Sequence, residues 1–227
     1  MLIFLAYLYP QPKLSKDMKG YIDYLIILSP PKDICEQIEE YKQQSAEIIG
    51  HYDSMHSKAH ISIKPMPRRK PYMAEPELAG LKANIKLLPP VTLVIDGFDF
   101  FNHGEEYRTV YAKIQSSAFT AQWFKALKKS LNIKDYLVPH ITIARNIHKN
   151  DFDKLWPHFR KIRWVQDFEV NKLTTLQREA LNTFAHWEVL MEIPFEARHL
   201  VSEPLSKAAP AKPFTGNYSA SQQIKLF

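Results

Sequence analysis

Apolar and polar residues follow two different periods in the first half of the chain, one typical of a strand and one typical of a helix. Residues 21–29 are rich in β-branched and aromatic side chains and stop at two consecutive prolines, which predicts a strand. Residues 34–48 carry apolar side chains at helical spacing, and Gly50 is placed to end that helix. A second strand is predicted over 59–64, and the basic, proline-rich stretch 65–71 is predicted to be a loop outside any sheet.

The second half of the chain repeats this order of strand, helix and strand. The elements predicted there are helices over 78–88 and 119–131, a short helix capped by Asn150, and strands over 91–95, 107–114, 140–143, 168–177 and 186–193. An aromatic-rich stretch over 98–101 follows the first of these strands. The helix over 119–131 places Trp123, Phe124 and Leu127 on one apolar face. The repetition indicates a duplicated, pseudo-symmetric α/β unit.

Length and composition define one folded unit with two different ends. With 227 residues, 45% of them hydrophobic, the chain can bury a sizeable core. We expect residues 1–19 to be an N-terminal extension, residues 20–197 the folded domain, and residues 198–227, rich in Ala, Pro, Ser and Lys, a flexible tail. The apolar opening of nine residues is too short for a membrane span, which needs about 20 residues. We therefore expect a protein without a membrane partner.

The net charge and the cysteine content limit the kinds of ligand, disulfide and metal site that the chain can have. The net charge is +6, which suits an anionic ligand. The single cysteine, Cys35, excludes an intramolecular disulfide and a cysteine-based zinc site, so we expect a reducing, cytoplasmic location. We also expect a monomer. His51 and His56 precede His60, but they lack the His-Glu-x-x-His spacing of a zinc site, and no metal is predicted.

One short motif occurs twice, 80 residues apart. His60 and Ser62 stand two apart, as do His140 and Thr142, and an isoleucine separates and follows each pair. Because side chains alternate along a strand, each pair presents an imidazole and a hydroxyl on one face and buries its isoleucines on the other. Two imidazoles at one cleft can act as general acid and general base near neutral pH, and the hydroxyls can donate to a phosphoryl oxygen.

The second motif is preceded by Pro139 and followed by Ala144 and Arg145. With these neighbours, the paired motifs resemble those of the 2H phosphoesterase superfamily. The similarity is greatest to its branch of 2′-5′ RNA ligase-like proteins and RNA 2′,3′-cyclic phosphodiesterases, and the order of elements is similar over about residues 20–197. The resemblance implies an α/β (α+β) fold of two pseudo-symmetric lobes, each an antiparallel sheet with helices outside. The two motif strands are then expected to meet in a central groove.

The resemblance also implies an activity. It implies cofactor-free and metal-independent hydrolysis of a 2′,3′-cyclic phosphate or a 2′-5′ linked phosphodiester, on an RNA end or a small nucleotide. His60 and His140 would be the acid and the base, in an order that stays open, and Ser62 and Thr142 would bind the phosphate. Whether the chain also performs 2′-5′ RNA ligation stays open. The alternative is a nucleotide- or RNA-binding module with the same groove but little turnover.

Two cations near the motifs are further candidates for phosphate contact. Strict alternation places Lys64 on the same face as Ser62, whereas Arg145, three residues after Thr142, would face away. The resemblance nevertheless implies a basic residue near the groove at Arg145. We interpret the basic run over 68–70 as a solvated surface, and His103 and His148 as surface or core residues.

Overall fold

The computed structural model describes residues 20–182 and 184–200. The predicted extension over 1–19 and most of the predicted tail over 198–227 lie outside the described residues. The strands are β1 (Ile22–Leu28), β2 (Ile61–Arg69), β3 (Val91–His103), β4 (Tyr107–Ile114), β5 (His140–His148), β6 (Val165–Val170), β7 (Lys172–Glu179) and β8 (Glu188–Pro194). The helices are α1 (Lys32–Ile49), α2 (Pro71–Ile85), α3 (Ala118–Ser130) and α4 (Lys149–Phe159).

The strands form two antiparallel sheets of four. Sheet A has the order β2-β1-β7-β8, and sheet B has the order β5-β4-β3-β6. In each half of the chain an inner strand, a helix and an outer motif strand follow one another, as β1-α1-β2 and as β4-α3-β5. The predicted α/β (α+β) fold of two pseudo-symmetric lobes is confirmed.

The helices join the two sheets into one core. Helices α1 and α4 contact each other and sheet B, whereas α2 contacts α3 and strand β8 of sheet A. Buried apolar side chains from both sheets and all four helices form one cluster, which includes Trp123, Phe124 and Leu127 as predicted. Helix α1 thus connects two strands of sheet A but packs on sheet B. Within the described residues, no helix has both the length and the apolar character that crossing a bilayer requires.

The two motif strands lie at the edges of their sheets and contact each other. The prediction that residues 65–71 form a loop was wrong, because β2 continues to Arg69 and α2 begins at Pro71. Proline lacks the N–H group that an inner strand needs, but an outer strand has only one hydrogen-bonding neighbour. Pro65 and Pro67 are therefore compatible with β2, whose partner is β1 alone.

The single strand predicted over 168–177 is two strands in different sheets. Strand β6 ends at Val170 in sheet B, and β7 begins at Lys172 in sheet A. Asn171 alone connects them, and its carbonyl oxygen accepts a hydrogen bond from the Phe195 N–H at 2.8 Å. The sequence gives no turn signal strong enough to show this crossing, because buried residues such as Val170 and Leu173 lie close to Asn171 on both sides.

The cap of α4 also differs from the prediction. His148, not Asn150, stands at the N-cap, and its ring nitrogen Nδ1 accepts a hydrogen bond from the Asn150 N–H at 3.2 Å. An unprotonated imidazole nitrogen can satisfy a free N–H group of a helix start as a hydroxyl or carboxylate does. The ring of His148 is therefore fixed in orientation by the helix it caps.

Candidate active site

Each motif histidine is held by the same kind of hydrogen bond. The His60 Nδ1 lies 2.8 Å from the Lys58 carbonyl oxygen, and the His140 Nδ1 lies 2.7 Å from the Val138 carbonyl oxygen. Because a carbonyl oxygen can only accept, Nδ1 carries the hydrogen in both rings. The Nε2 atom of each neutral ring keeps a lone pair, which is the form a general base needs.

The two imidazoles lie close enough to influence each other's charge. Burial is the main cause that lowers the pKa of His140 to about 4. Positive charge on Arg145, His60 and His103 lowers this pKa further. Burial also lowers the pKa of His60, and positive charge on Arg145 and Lys42 adds to the effect. Both rings are therefore largely neutral at neutral pH in the free protein.

An extra residue in β2 changes which of its side chains share a face. Ser62 pairs with Ile27 and Lys64 pairs with Ile26, so Ile63 between them is a bulged residue. Directly paired residues of antiparallel strands point to the same face. Ile26 belongs to the core cluster and Ile27 does not, so Lys64 points to the core side. Ser62 points to the opposite side, which we call the groove face.

Strand β5 carries a bulge at the corresponding position. Thr142 pairs with Tyr111 and Ala144 pairs with Val110, which leaves Ile143 as the extra residue. Val110 and Ala144 belong to the core cluster and Tyr111 does not. Thr142 therefore lies on the groove face of sheet B, as Ser62 does in sheet A. Neither hydroxyl has a hydrogen-bond partner among residues 20–182 and 184–200.

The bulges reverse the positions that strict alternation predicted for Lys64 and Arg145. Arg145 follows Ala144 and so returns to the groove face, whereas Lys64 leaves it. The Lys64 ammonium group donates to Glu77 Oε1 at 2.7 Å and to the Leu131 carbonyl oxygen at 2.9 Å. It thus joins β2 to α2 and to the end of α3, on the side of the sheet that the helices cover.

Arg145 is half-buried near the motif histidines, and its charge has no counter-ion among the described residues. Its backbone N–H donates to the Ser54 Oγ at 2.8 Å, but its guanidinium group makes no hydrogen bond or ion pair within the described part of the chain. Burial lowers the pKa of Arg145, and its positive charge in turn lowers the pKa of His60, His140 and His103. A half-buried, unpaired cation of this kind has the charge and the free donors to pair with an anion.

Aromatic rings form the wall of the groove beside His140. The Phe101 and Tyr111 rings are stacked with centroids 4.2 Å apart, and the His140 ring lies 5.0 Å from the first and 5.1 Å from the second. Burial and the negative charge of Asp99 raise the pKa of Tyr111, which keeps its hydroxyl protonated. Of the three phenylalanines over 98–101, only Phe101 faces the groove, since Phe98 and Phe100 pack on core rings such as Tyr41 and Phe152.

A buried lysine that was not a candidate from the sequence holds the loop that contacts both motif strands. Lys42 of α1 donates to the carbonyl oxygens of Ser54 and Ser57 and to the Ser57 Oγ, the last at 2.7 Å. These serines belong to the loop between α1 and β2, whose Lys58 carbonyl holds His60 and whose Ser54 hydroxyl holds Arg145. The one sequence signal is that Lys42 follows Ile38 by four residues and so falls on the buried face of the helix.

No cluster of three or more His, Cys, Asp or Glu side chains that could hold a metal ion occurs among the described residues. The His51 and His56 rings lie near each other, with centroids 5.7 Å apart, but a third ligand is not among these residues. The groove instead brings together two imidazoles, two hydroxyls and one guanidinium group.

Fold and groove together define a class of two-sheet α/β proteins in which each sheet contributes one His-x-Ser or His-x-Thr strand to a shared site. The family model of the 2′-5′ RNA ligase superfamily matches residues 30–182. The chain belongs to this superfamily. A comparison with curated protein sequences returned no match.

Solved structures share this architecture at low sequence identity. TT0787 of Thermus thermophilus is 14% identical with a TM-score of 0.58, over 78% of this chain and 100% of that protein. LigT of E. coli in its apo form is 13% identical with a TM-score of 0.56, over 78% of this chain and 98% of that protein. LigT complexed with 3′-AMP is 12% identical with a TM-score of 0.52 over the same shares. At this level of identity, the likeness shows the fold.

The Lys42 contacts predict a change in His60 when this lysine is replaced. In Lys42→Met, the pKa of His60 rises, because a positive charge that lowers it is removed. The Arg145 amide exchanges its hydrogen faster, because the loop that positions Ser54 has lost its donor. NMR titration of the histidine ring protons and amide hydrogen exchange measure the two effects.

Lys32→Met is the matched control, since Lys32 lies on the same helix with its side chain 89% exposed and pairs only with Glu36 among the described residues. We expect this variant to leave both measurements unchanged. An unaltered His60 pKa in Lys42→Met would contradict the role assigned to the lysine.

Proposed function

We propose that this protein is a phosphodiesterase that hydrolyses a 2′,3′-cyclic phosphate or a 2′-5′ linked phosphodiester by general acid and base catalysis from His60 and His140. Its substrate is an RNA end or a small nucleotide. The two Nε2 atoms carry the proton transfers, so the reaction needs no bound metal. Membership of the 2′-5′ RNA ligase superfamily supports this class of reaction.

The observation that carries the proposal is the unpaired charge of Arg145 beside two neutral imidazoles. A phosphodiester brings one negative charge, which pairs with the guanidinium group and raises the pKa of both histidines. One of the rings can then hold a proton at neutral pH while the other stays neutral. The Ser62 and Thr142 hydroxyls lie on the groove faces of sheet A and sheet B, and in this proposal they donate to the phosphoryl oxygens.

The chemical step follows from this arrangement. The neutral imidazole takes a proton from water as the water oxygen bonds to phosphorus. The ester bond to the ribose oxygen breaks, and the protonated imidazole gives its proton to that oxygen. A phosphomonoester and a ribose hydroxyl result, and proton exchange with solvent restores the two rings. The site is symmetric enough that either histidine can start as the base.

Known complexes of LigT agree in chemistry with this substrate class. That protein has been crystallised with phosphate, with 3′-AMP and with ATP. We propose that the groove of this chain likewise takes a nucleotide phosphate. The competing function is a nucleotide- or RNA-binding module, which would bind these ligands with salt-dependent affinity but would not turn them over.

Replacing either motif histidine tests the catalytic proposal. His60→Ala and His140→Ala each lower kcat on a 2′,3′-cyclic nucleotide by about 10²- to 10⁴-fold, the usual contribution of one general acid or base. Circular dichroism checks that the variants remain folded, and His51→Ala, at an exposed position, serves as the control. Turnover near that of the wild type in either groove variant contradicts the mechanism. Binding without turnover in the wild type favours the binding module.

Arg145 and Lys64 should differ sharply in their effect on substrate binding. Arg145→Met loses a charge-assisted contact to phosphate, worth about 1.5–3 kcal/mol, and raises KM about 10- to 150-fold. Lys64→Met changes KM by less than about 3-fold, because its ammonium group bonds to Glu77 and Leu131. Steady-state kinetics on one cyclic nucleotide measure both variants. Equal increases in KM would show that the bulge does not decide which cation meets the phosphate.

The pH dependence of the reaction follows from the lowered pKa of both histidines. In the free enzyme the state with one proton on the pair is most populated below the ordinary histidine pKa, because burial lowers both values, that of His140 to about 4. Bound phosphate raises both values, so the maximum of kcat lies at higher pH than the maximum of kcat/KM. Rate measurements across the acidic and neutral pH range test this order; a maximum of kcat at the lower pH would contradict it.

A further inference from the structure

The groove face of sheet B continues well beyond the catalytic residues. Thr142 of β5 pairs with Tyr111 of β4. Two residues earlier on β4, Thr109 lies beside Arg145. The Thr109 Oγ1 accepts a hydrogen bond at 3.0 Å from the N–H of Asn146, the residue after Arg145. Because alternate residues of a strand share a face, the next position on this face of β4 is Tyr107. It lies four residues, or about 13 Å, from Tyr111 along the strand.

Three residues with ring side chains stand side by side at this outer position. Tyr107 pairs with His103 of β3 on one side and with His148 of β5 on the other. The Tyr107 and His148 ring centroids lie 5.9 Å apart at an interplanar angle of 90°. We call these three residues the outer ring site. Neither of its histidines has a motif partner in the sequence, so both were interpreted there as surface or core residues.

Hydrogen bonds fix both histidines of the outer ring site before any ligand arrives. The His103 Nε2 lies 2.8 Å from the Thr109 Oγ1, and the His148 Nδ1 accepts from the Asn150 N–H at the start of α4. Tyr107 is 39% exposed, and His148 is also exposed. Fixed and accessible rings lose little conformational entropy on binding, which favours stacking with a flat ligand.

Charged residues lie on both sides of the outer ring site, positive toward the catalytic groove and negative on the opposite side. Arg145 lies on the catalytic side. Burial lowers the pKa of His103, and the positive charges of Arg108 and Arg145 lower it further. Beyond the site the chain turns through Glu105 and Glu106, which are exposed. A phosphate between the catalytic groove and the outer ring site is on the side of Arg145, whereas a phosphate farther along meets the carboxylates of Glu105 and Glu106.

We propose that the outer ring site binds the base of the penultimate nucleotide, one position on the 5′ side of the terminal nucleotide that carries the reacting phosphate, so that the substrate is the end of an RNA chain and not a mononucleotide. The proposal rests on the proposed function, since it takes the reacting phosphate to lie at Arg145. The site holds one base only, because Glu105 and Glu106 repel the phosphate of a further nucleotide. Base stacking on these rings makes the site tolerant of base identity.

Binding and turnover are measured separately to test this proposal. Calorimetry compares a nucleoside monophosphate with dinucleotides and trinucleotides ending in the same 2′- or 3′-monophosphate. We expect the dinucleotide to bind the wild type about 5- to 150-fold more tightly than the mononucleotide, the gain from one base–aromatic stack, and the trinucleotide to add nothing further. Tyr107→Ala removes this gain and leaves mononucleotide affinity unchanged. Tyr107→Phe keeps it, because the ring remains.

Tyr72→Ala is the matched control, since Tyr72 is 72% exposed on α2, outside both sheets. A dinucleotide that binds the wild type no better than the mononucleotide, or equally well to Tyr107→Ala, overturns the outer ring site. Turnover of cyclic mononucleotides in that case leaves the proposed function standing. Tight, Tyr107-dependent dinucleotide binding without any turnover supports the site and overturns the hydrolytic proposal instead.

Discussion

The first of two extra residues in each motif strand determines the chemistry of the groove. Ile63 and Ile143 interrupt the pairing of β2 and β5 at corresponding points, directly after the hydroxyl residue of each motif. Each bulge turns the second residue after the hydroxyl toward the core and the third toward the groove. In sheet B this third residue is Arg145. In sheet A the third residue is Pro65, so the groove receives one guanidinium group and not two.

An electrostatic feature of the groove is that the charge of Arg145 is unpaired among the described residues. Removing an arginine from water costs several kcal/mol unless a counter-charge is present, and Arg145 has none within the described part of the chain. The two imidazoles beside it stay neutral, which limits the repulsion. A bound anion therefore relieves an existing electrostatic cost. The unpaired charge of Arg145 favours a phosphate ligand more strongly than the overall charge of +6 does.

The sequence was sufficient for the parts of the fold and site that depend on local periodicity. The spacing of His60 and Ser62, and of His140 and Thr142, placed each pair together on a strand, and the repeated order of elements indicated the two lobes. The alternation rule failed for Lys64 and Arg145, because a bulge is not visible in one sequence. The role of Lys42 was not predicted, because it depends on the packing of α1 against β5. The outer ring site was not predicted either, because it depends on the register of three strands.

The crossing at Asn171 has a mechanical consequence for the groove. A single residue carries the chain from sheet B to sheet A, and its carbonyl oxygen is tied to the chain just after β8. The sheets therefore cannot slide past each other at this point, since one residue spans only about 3.5 Å. The motif strands lie away from this crossing, β5 at the edge of sheet B opposite β6 and β2 at the edge of sheet A opposite β8. A rotation about Asn171 would displace them farther than the strands beside the crossing, and the contact between β2 and β5 opposes such a rotation.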